Sequence, residues 1–252
     1  MTIDPRAKDF DTAELLAAVN DANARLIATA EGFDDRAVRE PSLLAGWSRA
    51  HVLTHTARNA DGLVNLLEWA ASGNRVEMYA SPQARADGIE AGAARSAAEI
   101  AADLRASGER FALATARLAP EHWRVEVERR TGGRYPADRI PWWRLEELLI
   151  HHVDLDAGYR PAHWPAAFTG PELEMVAERL SDPVLTPEAP AFRLYTEDTA
   201  RNLGVRCDPT DRGAPLVRGP EAALLTWLIG RGAGDGLEVE PFDALPTLPA
   251  WS

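Results

Sequence analysis

Two pairs of residues that can bind metal ions occur in the sequence at the spacing of one helical turn. The first pair is His51 and His55, and the second is Glu147 and His151. On an α-helix, residues four positions apart lie on the same face. If two such helices pack together, imidazole and carboxylate groups meet, and these are the ligands of a catalytic zinc ion with one open position. The spacing therefore predicts a metal site between two helices.

Four side chains are more than such a catalytic site uses. A structural zinc ion has four protein ligands, whereas a catalytic ion is held by three and keeps a position for water or substrate. The spacing alone does not say which of the four is left out, and it also fits partly buried, hydrogen-bonded histidines that bind no metal. Imidazole and carboxylate ligands bind Fe²⁺, Mn²⁺ and Ni²⁺ as well as Zn²⁺. Asp154, three residues after His151, is placed to orient that histidine or to pair with an arginine.

The hydrophobic pattern places each pair on a helix of a four-helix bundle. Apolar residues recur at helical spacing in four segments, which are residues 12–30, about 48–71, about 83–118 with a break near Gly92, and about 141–158. Before the fourth helix, residues 120–139 alternate and turn at Gly132 and Gly133, which predicts short strands. The core of a helix bundle is a usual place for metal ligands.

The remainder of the chain predicts a second, α+β domain. After Gly158 comes a linker rich in Pro and aromatic residues, then helices and short alternating segments. These elements are a helix at 171–180, strands near 191–198, 202–209 and 214–219, a helix at 220–231 and a strand at 236–241. We therefore expect the fold class α plus α+β, with a helix bundle at residues 1–160 and an α+β domain at residues 161–252.

Arg231 lies among glycines at the end of the last predicted helix. Glycines let a ligand approach closely, and a guanidinium there can hold a carboxylate with two hydrogen bonds. The alternative, equally compatible with the sequence, is an arginine that neutralises the helix C-terminus.

The amino-acid composition limits the kinds of molecule that the protein is expected to bind. The chain has 252 residues, a formal net charge of −12 and a single cysteine, Cys207. The acidic balance argues against nucleic acid but leaves a small anionic substrate open, and one cysteine excludes a disulfide framework and a cysteine-based zinc site. The polar N-terminus has no signal core, and no apolar run approaches the roughly 20 residues that span a bilayer. We expect a cytoplasmic protein without membrane partner; the acidic surface and the absence of heptads favour a monomer.

The chain resembles the mycothiol-dependent maleylpyruvate isomerases, a branch of the DinB-like metal-dependent bundle proteins, in PSLLAGWSRAHVLTHTARNADGL, MYASPQAR, EELLIHHVDL and LLTWLIGRGAGDG. The resemblance covers nearly the whole chain in order. It implies an N-terminal DinB-like four-helix bundle and a smaller C-terminal α+β domain of sterol-carrier-like type. The pattern GW-[ST]-R-x-H with E-x-x-x-H-x-V-D-L is typical of the thiol-dependent superfamily, and MYxSPxAR is typical of the isomerase itself.

The resemblance also implies a ligand set and a reaction. Its zinc ligands fall on His51, Glu147 and His151, which leaves out His55 and keeps one position open for the thiol mycothiol. The metal, Zn²⁺ or another divalent ion, favours the thiolate at neutral pH. The implied enzyme is an isomerase of gentisate breakdown that turns maleylpyruvate into fumarylpyruvate by thiolate addition, bond rotation and elimination. Arg231 would hold a substrate carboxylate or stabilise the developing enolate.

Two other functions fit the same residues. A mycothiol S-transferase would use the same site to conjugate an electrophilic small molecule and would keep the thiol in its product. A non-catalytic zinc-binding module would use His55 as a fourth ligand and leave no position for a thiol.

Overall fold

The computed structural model describes residues 11–130, 132–242 and 244–250, and the chain divides into two compact units after Tyr159. The N-terminal unit is helical and the C-terminal unit mixes helices with a sheet, so the predicted fold class, α plus α+β, is confirmed. The predicted lack of a signal core depends on the polar segment 1–10, and this segment lies outside the described residues. In the part of the chain that is described, no helix is long and apolar enough to cross a membrane.

The N-terminal unit is a helix bundle. Its helices are α1 (Thr12–Glu31), α2 (Arg49–Ser72), α3 (Pro82–Ala93), α4 (Ala97–Arg117) and α5 (Ile140–Asp154). Helix α2 packs against α4 and α5, and α1 packs against the same two helices, so these four form the bundle. Helix α3 packs on α2. The third predicted helix is thus two helices, because Ser96 starts α4 with a capping box to Glu99.

The ends of the site-bearing helices follow from local sequence. Helix α2 begins after Ser48 and ends at Gly73, whose φ of 72° is the left-handed conformation of a helix C-terminus. Helix α5 has Pro141 in its first turn, where the missing N–H costs nothing. Between α4 and α5, β1 (Glu126–Glu128) and β2 (Arg134–Pro136) form an antiparallel hairpin, which confirms the predicted short strands.

The C-terminal unit contains two helices and a four-stranded sheet. The elements are α6 (Ala166–Ser181), β3 (Phe192–Thr196), β4 (Asn202–Val205), β5 (Leu216–Gly219), α7 (Glu221–Leu228) and β6 (Glu238–Glu240). The strand order is β4-β3-β5-β6; β3 and β5 are parallel, and the other pairs are antiparallel. Helix α6 begins at Ala166 and not at Pro171, because a proline with little more than one turn before it removes one backbone hydrogen bond without ending the helix.

Candidate metal centre

Helices α2 and α5 bring three potential ligands to one point. His55 Nε2 lies 3.1 Å from His151 Nε2 and 3.1 Å from Glu147 Oε2, and the His151 Nε2 to Glu147 Oε2 distance is 3.2 Å. In the described part of the chain, these are the residues whose ligand atoms cluster closely enough to hold a metal ion. Glu147 and His151 therefore direct their ligand atoms at the same point from one face of α5, as their spacing of four residues predicts.

The donor set and its geometry fit a divalent metal ion. Glu147 Oε2 is buried, and neither imidazole directs an N–H at it with hydrogen-bond geometry, although both nitrogens lie within 3.2 Å. When both imidazoles are neutral and carry their protons on Nδ1, three acceptor atoms face one another here, and a cation at their centre satisfies all three. Ligands about 2.0–2.1 Å from a tetrahedral zinc ion are separated by about 3.3 Å, close to the three distances observed. The residues present therefore fit a metal held on three sides.

His51 lies outside this cluster, in contrast to the ligand set that the resemblance implies. Its Nδ1 accepts a hydrogen bond from the backbone N–H of Ser48 and lies 2.7 Å from the Ser48 hydroxyl, so it caps the start of α2. Its Nε2 is 3.4 Å from Glu90 on α3. The His51 side chain is 23% exposed and that of His55 is 7% exposed. The structure thus places His55, one turn deeper in the bundle, where the sequence interpretation put His51.

One sequence signal counts against His51, whereas the evidence for His55 comes from the structure. His51 stands three residues after Ser48, the position of the capping-box partner at a helix start. His55 lies in the middle of a run from Val52 to Ala57 that is buried throughout. His55 therefore faces the bundle core, whereas His51, in the first turn, caps the helix. The four-ligand shell of a structural zinc site is not formed by these residues, since His51 points elsewhere.

In the absence of a cation, Glu147 and His151 carry opposite charges and His55 is neutral. Burial raises the pKa of Glu147, but His55 and His151 outweigh it and hold that pKa well below the ordinary value. Burial lowers the pKa of His151, yet the carboxylates of Asp154 and Glu147 raise it to about 9. Burial lowers the pKa of His55 despite the nearby Glu147. Near neutral pH the cluster is a carboxylate, an imidazolium at His151 and a neutral imidazole at His55.

Asp154 and Trp47 fix the two imidazole rings. His151 Nδ1 donates to Asp154 Oδ2 at 2.8 Å, and Asp154 is completely buried. This contact directs Nε2 of His151 at the cluster, as outer partners of metal-binding histidines commonly do. The Trp47 ring meets His55 edge-on, with ring centroids 5.5 Å apart. The role of Asp154 as the orienting residue is one of the two that its position on the helix predicts.

Three further residues, which sequence reasoning left without a role, lie around the cluster. Arg85 Nη2 on α3 donates to His55 Nδ1 at 3.1 Å, and the Arg85 guanidinium lies 5.8 Å from the centre of the Tyr79 ring. Both residues belong to the MYASPQAR segment. Arg144, one turn before Glu147, is fully buried and donates to the carbonyl of Thr56 at 2.8 Å. Arg144 therefore ties α5 to the residue next to His55.

Arg231 lies in the turn that follows α7 in the C-terminal unit. Its backbone N–H donates to the carbonyl of Thr226 at 2.9 Å, and its Nη1 donates to the carbonyl of Ile229 at 3.0 Å. The guanidinium therefore contacts the carboxyl end of its own helix, which is one of the two interpretations of its position.

Comparison with known proteins gives a family profile and two solved structures. The profile described as the mycothiol maleylpyruvate isomerase N-terminal domain matches residues 19–156, more than half of the chain. The crystal structure of the mycothiol-dependent maleylpyruvate isomerase is similar with a TM-score of 0.87 and 26% identity, covering 96% of this chain and 98% of that one. A histidine-to-alanine mutant of that isomerase gives a TM-score of 0.86 at the same identity and coverage. Among curated proteins, none matches the chain.

Proposed function

We propose, since the chain belongs to the family of the mycothiol maleylpyruvate isomerase N-terminal domain, that it isomerises maleylpyruvate to fumarylpyruvate with a divalent metal and mycothiol. Membership of this family, with the likeness to a solved isomerase over nearly the whole chain, makes it an enzyme. The observation that carries the proposal is the three-ligand cluster with its buried, hydrogen-bond-free carboxylate oxygen. We place the reaction in gentisate breakdown, in the cytoplasm, where a low-molecular-weight thiol is available.

His55, Glu147 and His151 are the residues that would hold the metal. Two histidines and a glutamate are a ligand set of catalytic zinc sites, so Zn²⁺ is the ion we propose, although other divalent ions accept the same donors. When bound, the metal favours the thiolate form of mycothiol, whose reversible addition to the cis double bond allows rotation about it. Three protein ligands leave the position that a thiol needs.

The chain's own contribution is to keep this cluster in one arrangement. Asp154 holds the proton of His151 on Nδ1, so that the lone pair of Nε2 faces the metal position. Glu147 stays ionised because its pKa lies well below the ordinary value. Trp47 packs edge-on against the His55 ring and limits its rotation. Each of these effects keeps the three ligand atoms directed at one point.

Arg231 is proposed as a catalytic residue in this reaction. Addition of a thiolate to the double bond moves negative charge onto the adjacent carbonyl oxygen, and a guanidinium can stabilise that charge or hold a carboxylate. Glycines flank Arg231 on both sides, which leaves room for a ligand next to it.

The test is conversion of maleylpyruvate by zinc-loaded protein with mycothiol, followed by proton NMR of the two alkene isomers. We expect fumarylpyruvate to form without consumption of the thiol, and activity to be lost in His55→Ala, Glu147→Gln and Arg231→Ala. Accumulation of a stable thiol conjugate would instead indicate a mycothiol S-transferase. Fully metal-loaded protein that leaves maleylpyruvate unchanged would contradict the isomerase.

A further inference from the structure

The segment between α2 and α3 is held closely against the metal-binding helix. Asn65 Nδ2 on α2 donates to the carbonyls of Glu77 and Met78, both at 3.3 Å. Gly62 allows this approach, because a Cβ there would lie 2.8 Å from Met78 Cγ and 3.0 Å from the Met78 carbonyl oxygen. Tyr79, the next residue, is therefore fixed beside Arg85, which contacts the candidate ligand His55.

Helix α3 is fixed on the same surface by its N-cap and by a second glycine. The Ser81 hydroxyl accepts a hydrogen bond from the N–H of Ala84 at 3.0 Å, which starts the helix, and Arg85 follows in its first turn. At the other end of α3, a Cβ on Gly92 would lie 2.3 Å from Thr54 Cγ2 on α2. The two contacts position the Arg85 side chain toward His55.

Arg85 is a half-buried guanidinium that has no carboxylate partner among the residues the structure describes. Its contacts are His55 Nδ1 at 3.1 Å and the ring and hydroxyl of Tyr79. Of its five N–H donors, one serves His55 and another serves the Tyr79 hydroxyl, which leaves donors for a carboxylate. The other buried arginine near the cluster, Arg144, donates to Thr56 and Asn59 inside the core and is only 1% exposed.

The contact between Arg85 and His55 also differs from the usual environment of a metal-binding histidine. Such a histidine donates its second N–H to an acceptor, as His151 does to Asp154. Arg85 is a donor and never loses its proton, so His55 Nδ1 accepts in this contact. A His55 that uses Nε2 as a ligand carries a hydrogen on Nδ1 and accepts nothing there. Arg85 then needs another acceptor, and a ligand carboxylate at the metal centre provides one.

We propose that Arg85, with Tyr79 beside it, binds a carboxylate of the anionic substrate next to the metal centre. The substrate's identity rests on the proposed function, but the carboxylate site itself rests on the contacts of Arg85. A dicarboxylate substrate in a chain with a net charge of −12 needs a fixed cation near the metal, and Arg85 is placed to supply it. The Tyr79 ring, through its cation–π contact, keeps the guanidinium in place.

The experiment measures binding of maleate, a cis-dicarboxylate, to zinc-loaded protein by calorimetry without thiol. We expect the Kd of maleate to rise about tenfold to a hundredfold in Arg85→Gln, the effect of losing a charged hydrogen-bond pair. Arg85→Lys keeps the charge without the planar fork, so its Kd should lie between those of wild type and Arg85→Gln. Arg36→Gln is the matched control, because the Arg36 side chain is 92% exposed and its loss changes the net charge equally.

Zinc content and steady-state kinetics complete the test. The variants should keep wild-type zinc affinity, and the KM for maleylpyruvate should rise with the Kd of maleate while the KM for mycothiol stays unchanged. Unchanged maleate binding in Arg85→Gln, or a loss of zinc that accounts for the loss of maleate, would overturn the proposal. If Arg85→Gln does not fold, an unchanged Kd in Arg85→Lys overturns it equally.

The same measurements separate this proposal from the proposed function. Arg85-dependent binding of maleate by a protein that does not isomerise maleylpyruvate would support the carboxylate site and contradict the isomerase. Isomerisation with the same KM before and after Arg85→Gln would support the isomerase and contradict the carboxylate site.

Discussion

Replacement of His55 and of His51 by alanine gives opposite expectations for metal binding. His55 Nε2 lies within 3.1 Å of both other ligand atoms, whereas His51 caps the start of α2 through Ser48. We therefore expect His55→Ala to lose zinc and His51→Ala to keep it. The two histidines lie on one face of one helix, so each variant is the control for the other.

The magnitude follows from the number of ligands. Structural sites with four ligands bind Zn²⁺ with an apparent free energy of about 10–16 kcal/mol, which is about 2.5–4 kcal/mol per ligand. Removing one of the three ligands found here should weaken zinc binding by about a hundredfold to a thousandfold. His51→Ala loses a helix-capping contact, which should lower the free energy of unfolding by about 0.5–2 kcal/mol and leave zinc affinity within about threefold.

The assay is competition for zinc with a chromogenic chelator, combined with urea unfolding of the metal-free protein. Urea unfolding detects the capping loss in His51→Ala, and the competition detects the ligand loss in His55→Ala. The reasoning is refuted if His51→Ala loses zinc by two orders of magnitude while His55→Ala binds it as tightly as wild type. That result would restore the ligand set implied by the sequence resemblance.

Three further predictions follow from the surroundings of the cluster. Asp154→Asn keeps the shape of the residue but removes the charge that His151 faces. Zinc affinity should therefore fall about tenfold to a hundredfold in the same competition assay. Unchanged affinity would show that Asp154 does not orient the ligand. The pKa of His151 is raised to about 9, so its contribution to the stability of metal-free protein is complete below about pH 6.5 and is lost as the pH rises through about 9. Over that range the metal-free free energy of unfolding should fall by up to about 1.4 kcal/mol per pH unit in urea titrations, while zinc binding strengthens; a flat profile would contradict the protonated His151. Gly62→Ala places a Cβ 2.8 Å from Met78 Cγ and should displace Tyr79 and Arg85. We expect the KM for the substrate to rise while the zinc content stays unchanged. Ala60→Gly, at a fully buried position of the same helix, is the control for a general loss of stability.

Sequence periodicity was sufficient for the helices that hold the ligands, because their boundaries depend on local signals. Gly73 ends α2 and Pro141 lies in the first turn of α5, and both signals can be read directly from the sequence. Glu147 and His151 meet on one face for the same reason, since a spacing of four residues fixes their relation within one helix.

The choice between His51 and His55 depended on tertiary structure. A spacing of four places both on the same face of α2, so the helix alone treats them alike. The depth at which α5 crosses α2 decides which one meets Glu147, and that depth is set by packing across the bundle. The position of Arg85 next to His55 also depends on tertiary structure, because Gly62 and Gly92 determine how closely the segment that carries Arg85 approaches α2.

The charges around the cluster explain why it suits both a metal and anions. Without a metal, the carboxylates of Glu147 and Asp154 face the imidazolium of His151 and the buried guanidinium of Arg144. A divalent cation that replaces the proton of His151 adds one net positive charge to this balanced group. Because the surroundings are buried, the surplus is weakly screened and attracts an anionic ligand. A thiolate at the open position neutralises it, and Arg85 remains to bind the substrate carboxylate.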